Sequence, residues 1–230
     1  MPRTYQMPQN AMIKQLKKKQ KIVLAAIELY TDDRANFTVA NLARKTRVKK
    51  NEIYRLFNSK GSILKYYYPL CVLRYRLMTE EIEDFAAWSF EEKLANFAYA
   101  MFDMLQEERE FVEEHFVEAV FHAPGTSKFQ REVERLIREF LGESAGIEWI
   151  AAVLGREYLR LIHFWLADES DDCERSMALV DKASAFIGEA LRSRELVCKG
   201  ADLAKYLMAN DAINAPFAKV LLSQVLRWTR

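Results

Sequence analysis

Apolar residues recur at steps of three and four along almost the whole of this 230-residue chain, and that spacing commits it to helices. The two clearest stripes are Ile147, Ile150, Leu154, Tyr158, Leu161 and Trp165, then Cys173, Met177, Val180, Ser184, Ile187 and Leu191. Each lays its apolar side chains along one face of a helix. No long stretch alternates with period two, and seven glycines and five prolines leave little material for strands joined by tight turns. The expected fold class is all-α.

Punctuation between the stripes sets the element boundaries. Ile13, Leu16, Val23, Ile27 and Tyr30 share a face of a first helix over residues 11–31. Thr38 caps a short second helix at 39–45, Thr46-Arg47-Val48 turns into a third at 50–56, and Ser59 caps a fourth. Pro69 predicts a kink in that fourth helix between residues 65 and 69. Ser89 with Glu92 fits a capping box opening a fifth helix that lasts to residue 106. A sixth helix at 108–122 ends at Ala123-Pro124-Gly125, and a seventh spans 127–141. The striped segments, 147–167 and 172–192, read as an antiparallel pair turning at 168–171. An extra C-terminal pair is expected at 201–209 and 215–228, with Asn214 as cap and Pro216 in the first turn.

The formal net charge of +1 hides an asymmetry. Residues 1–60 hold fourteen basic and four acidic side chains, a net +10, while the remainder holds twenty basic and twenty-nine acidic, a net −9. A basic head on an acidic body suits a polyanion, because phosphate contacts supply most sequence-independent affinity for nucleic acid; a solvated lysine-rich tail is the plain alternative. No apolar run approaches the roughly 18 residues that span a bilayer. The start, MPRTYQMPQNAMIKQLKKKQ, has no apolar secretory core, so a soluble, cytoplasmic protein without a membrane partner is expected. Cys71, Cys173 and Cys198 are far apart and odd in number, and read as reduced packing residues.

The stretch FTVANLARKTRVKKNEIYRLFNSKGSIL places two short helices and a three-residue turn inside the most basic part of the chain, which is helix-turn-helix geometry. Ala40, Leu42 and Ala43 are expected to pack the first helix, Val48 to plug the turn, and Ile53, Leu56 and Phe57 to seat the second. Lys49, Lys50, Asn51, Tyr54 and Arg55 are left projecting. Across residues 20–64, LAAIELY, FTVANLA and VKKNEIYRLFNSKGSIL resemble the tetracycline-repressor (TetR) family of bacterial regulators in the order and spacing of a dozen-odd positions. Thr46-Arg47-Val48 and Lys49-Lys50-Asn51-Glu52 depart from the family's usual Ala-Gly-Val and Ser-x-Gly-Thr, so no operator sequence follows.

The resemblance implies a helix-turn-helix domain at 1–64 and a larger helical ligand-binding and dimerisation domain at 65–230. By matching position it makes Thr38, Tyr54 and Lys60 phosphate contacts and sends Lys49, Lys50 and Asn51 into the major groove of a double-stranded operator. Arg47 and Arg55 reach bases or only the backbone. Tyr54 also reads as a core aromatic and Thr38 as a cap alone. Lys14, Lys17, Lys18 and Lys19 read equally as a minor-groove arm or a solvated helix face.

The resemblance further implies that the two striped helices pair with their twins in a homodimer, through Ile150, Leu154, Tyr158, Leu161, Trp165, Met177, Val180, Ser184, Ile187, Gly188 and Leu191. EFVEEHFVEAVFH reads as a helix apolar nearly all round that must be covered. A ligand pocket is expected from Phe97, Met101, Met104, Phe111, His115, Phe116, Ala119, His122, Tyr158 and Phe164, for a small, largely apolar ligand; plain core is the competing reading. His115, Glu118 and His122 share a face, but the histidines stand two turns apart, about 10 Å along the axis, which strains chelation of one ion. No metal or other cofactor is expected. No phosphate-binding glycine loop, GxSxG or HExxH is present, so no catalytic residue is assigned and an enzyme is disfavoured. The competing class is a helical dimeric adaptor, which would need no +10 head.

Overall fold

Over residues 9–122, 126–142 and 147–192, which the computed structural model describes, the chain forms ten α-helices, two short 3-10 turns and no strand. The helices are α1 (Gln9–Asp32), α2 (Val39–Thr46), α3 (Lys50–Leu56), α4 (Lys60–Lys65), α5 (Tyr67–Thr79), α6 (Phe90–Gln106), α7 (Arg109–Val120), α8 (Lys128–Leu141), α9 (Ile147–Leu166) and α10 (Glu174–Arg192). None of them is long and apolar enough to cross a membrane. The expected C-terminal pair at 201–228, and Cys198, lie outside the described residues.

The caps predicted at Thr38, Ser59 and Ser89 are made. Thr38 Oγ1 accepts from Asn41 N at 3.1 Å. Ser59 and Ser62 cap α4 reciprocally, at 3.1 and 3.0 Å. Ser89 N donates to Glu92 at 2.7 Å, and Glu92 N donates to Ser89 Oγ at 3.3 Å. Where a kinked fourth helix was expected, the chain instead ends one helix at Lys65 and starts another at Tyr67. Pro69 then falls in the first turn of α5, where a missing backbone donor costs no intrahelical bond.

The chain divides into two compact units, Met1–Arg74 with Leu105–Phe129, and Tyr75–Met104 with Gln130–Arg230. The boundary expected at residue 64 therefore does not coincide with the division, because α7 joins the N-terminal unit and packs on α1. α1 turns Ile22, Val23, Ala26 and Ile27 into that unit's core. Phe111 of α7 meets Tyr30, Tyr67 and His115 at ring-centroid distances of 6.0, 5.7 and 4.8 Å. α7 is not apolar all round: Phe111, Val112, Phe116, Ala119 and Val120 are buried, while Glu110, Glu113, Glu114 and Glu118 face solvent. One covered face suffices for it.

In the second unit, Tyr158 stacks on Phe97 at 4.5 Å and its hydroxyl donates to the Phe97 carbonyl at 2.9 Å. Trp165 stacks on Phe102 at 5.0 Å. Two glycines permit close approach. A Cβ at Gly155 would come within 2.5 Å of Glu134 Cγ, and one at Gly188 within 2.7 Å of a Glu91 carboxylate oxygen.

Asp168 fixes the corner between α9 and α10. Its buried carboxylate accepts from Ser170 N at 3.0 Å, Ser170 Oγ at 2.6 Å, Ser176 N at 2.8 Å and Ser176 Oγ at 2.5 Å. Those donors hold its carboxyl well below the usual carboxylate range, the Ser170 and Ser176 hydroxyls contributing most. Asp168→Ala strands these donors and is expected to lower the melting temperature by on the order of 5–10 °C in calorimetry. Because the folded carboxyl is the stronger acid, the stabilisation is complete above the unfolded value of about 4 and fades as pH falls below it. The gap between wild type and variant should therefore shrink in acid; a gap that widens there would refute the assignment.

Candidate nucleic-acid interface

Eight residues form α2, and its end is set by Arg47, which takes the left-handed conformation at φ 56°. A non-glycine residue there costs about 1 kcal/mol. Leu42 is fully buried and Thr46 Oγ1 donates to the Leu42 carbonyl at 2.7 Å. Ala40 was expected to pack beside Leu42 but is exposed. Two residues apart on a helix of about 100° per residue, the two point to nearly opposite sides. Ala43 and Val48 are half-buried, and Ile53 and Phe57 seat α3 from within.

Lys49, Lys50, Asn51, Tyr54 and Arg55 all face solvent. Tyr54 is 56% exposed, so its ring is no part of the core. Glu52 alone of the α3 opening turns aside: Lys18 of α1 pairs with it at 2.5 Å and holds its carboxyl below the ordinary value. That pair removes an anion from the cationic face and uses one of the four candidate arm lysines. Lys19 is half-buried against Tyr66, whereas Lys14 and Lys17 are exposed. Arg47 is exposed at the turn, and Thr38 is half-buried with its hydroxyl engaged in the cap. Lys60 donates to the Phe37 carbonyl at 3.1 Å and lies over that ring, which fixes its ammonium near the start of α2.

The expected pocket residues fall five in each unit. In the N-terminal unit Phe111, Phe116 and Ala119 are buried in core and His122 is exposed. His115 stacks on Tyr68, its Nδ1 lies 3.3 Å from the Tyr68 hydroxyl, and burial pushes its imidazole down to about 4. It is therefore neutral at pH 7. In the second unit Phe97, Met101 and Met104 are buried core residues. Tyr158 and Phe164 line an open apolar groove of about 410 Å³ on α6, α9 and α10. Among the described residues no group of three His, Cys, Asp or Glu is gathered to hold a metal ion. Cys71 is buried, which pushes its thiol up to about 12, and Cys173 is half-buried; both are free.

Of the residues expected at a dimer interface, Tyr158, Trp165, Val180, Ser184 and Gly188 are instead buried within their own chain. Ser184 Oγ donates to the Val180 carbonyl at 2.7 Å, and Gly188 lies against Glu91. Ile150, Leu154, Leu161, Met177, Ile187 and Leu191 are half-buried. The outward face of the pair is one step round the helices. Phe164, Leu179 and Phe186 stand 42, 40 and 67% exposed, and Phe164 and Leu179 share the groove with Leu154, Leu161, Ala183 and Ile187. Leu179 and Phe186 were missed because they sit beside the dominant stripe. The spacing of seven between them was the available signal. Set against models of known protein families and against curated proteins, the sequence matches none.

Proposed function

We propose that this chain is a cytoplasmic, homodimeric DNA-binding regulator of the TetR kind, a repressor released from its operator by a small, largely apolar molecule, and not an enzyme. The observation that carries the reading is the solvent-facing set Lys49, Lys50, Asn51, Tyr54 and Arg55 on α3, within a segment of net +10. α2 and α3, joined by the tight turn at Arg47, have the size and order of a helix-turn-helix, with α3 as the helix that enters the major groove. Lys49 and Lys50 suit guanine O6 and N7, and Asn51 suits adenine. Thr38, Tyr54 and Lys60 would hold phosphates beside them, with Arg47 and Arg55 adding charge.

A second copy seated on the apolar groove of α9 and α10 would carry a second reading helix, about 34–36 Å from the first when matched to one turn of DNA. A ligand that binds better to a conformation with the wrong separation shifts the population away from the operator. The free groove alone would also suit an adaptor. The charge on α3 favours the regulator.

Retardation of the DNA flanking the chain's own gene is the test. With several phosphate contacts per dimer, affinity should fall by roughly 1,000-fold or more between 50 and 200 mM salt. No retardation at low salt, or retardation indifferent to salt, would remove the basis for the reading.

A further inference from the structure

A second concavity, within the N-terminal unit, has a different chemistry from the groove. It is an open hollow of about 430 Å³ among α1, the end of α3, the α4–α5 break, α7 and the start of α8. Phe57, Pro69 and Phe129 are buried and give it an apolar wall. Three cations border it, Lys19, Lys65 and Lys128, and among the described residues no acidic side chain lines it. The Lys19 and Lys128 ammonium groups lie 4.8 and 4.4 Å from the centroid of one ring, that of Tyr66.

Among the described residues none of the three lysines makes an ion pair, although Lys18, next to Lys19, is paired with Glu52. Burial already lowers the Lys19 pKa, and the Lys65 charge adds to the depression of the His115 imidazole. An anion placed in this hollow would gain charge-assisted hydrogen bonds from cations that no acidic side chain among the described residues neutralises.

We propose that this cavity binds a small organic anion, an aromatic carboxylate or phosphate monoester, with its charged head among Lys19, Lys65 and Lys128 and its ring against Phe57, Pro69 and Phe129. The volume is that of a small-molecule site rather than a strip of DNA backbone, and its wall uses the buried side of α3 instead of the exposed Lys50, Asn51 and Tyr54. An occupant would touch residues 56–58, where α3 ends, so it could bias the reading helix. That consequence depends on the proposed function, whereas binding itself does not.

Titration calorimetry on the full chain without DNA separates the two. Phenyl phosphate and benzoate are the probes, with benzyl alcohol as the neutral counterpart and inorganic phosphate as the headgroup alone. At least one aromatic anion should saturate at one per chain, with benzyl alcohol and inorganic phosphate each about tenfold weaker or more. A Lys65→Met, Lys128→Met variant, changed at two exposed positions, should melt as wild type yet bind at least about tenfold more weakly. Lys65→Arg with Lys128→Arg should retain binding. Saturation by neither aromatic anion, equal binding of benzyl alcohol, or undiminished affinity in the methionine variant would each overturn the proposal.

Discussion

A Lys49→Glu, Lys50→Glu variant is expected to keep its helical fold and to lose DNA affinity by roughly 30-fold to 20,000-fold at fixed salt, about 1–3 kcal/mol for each lysine removed from a base edge. Both side chains are exposed and neither makes an ion pair among the described residues; Glu52, which feels the Lys49 charge, keeps its pair with Lys18. The helix itself should tolerate glutamate better than lysine. Lys49 is the N-cap of α3 and Lys50 its first residue, and no side chain caps that end. Cations there oppose the helix dipole at a cost of about 0.3–1 kcal/mol each, and anions are favoured by a similar amount. A selection for stability alone would not put two lysines at this end, whereas a helix start presented to a polyanion would. The two measurements should therefore move in opposite directions, with the urea midpoint unchanged or higher and the anisotropy of a labelled genomic fragment falling. Unaltered DNA affinity in a folded double variant would dismiss α3 as a reading helix.

Local signals were legible in the sequence where one short-range hydrogen bond decides the geometry. Thr38, Ser59 and the Ser89–Glu92 pair each define a helix start through atoms three residues apart, and each is made as expected. Arg47 is the case in which local chemistry misleads, since its residue type disfavours the left-handed conformation that the α2–α3 connection imposes. Long-range pairs such as Lys18 with Glu52 leave no trace in spacing. Periodicity says that a face is apolar, but not which surface covers it. For α9 and α10 that distinction is the whole question, because the strongest stripe is divided: Tyr158, Trp165, Val180, Ser184 and Gly188 are buried within the chain, while Leu154, Leu161 and Ile187 border the open groove beside Phe164 and Leu179.

Substitutions at Trp165 and Phe186 should consequently have opposite signatures. Trp165 is 2% exposed and stacked on Phe102, so Trp165→Ala leaves a large cavity and is expected to cost about 3–5 kcal/mol in urea unfolding. Phe186 is 67% exposed, and Phe186→Glu removes almost no contact within the chain. At protein concentrations low enough to keep both chains monomeric, its unfolding free energy should stay within about 0.5 kcal/mol of wild type. In sedimentation equilibrium at higher concentration the same variant should dissociate at least about thirtyfold more readily, the effect of removing a buried aromatic anchor worth about 2 kcal/mol and of opposing two like charges across a two-fold axis. A Phe186→Glu chain that still sediments as a wild-type dimer would exclude this face. A Trp165→Ala chain that dissociates without losing stability would return the interface to the stripe that the sequence displays most strongly.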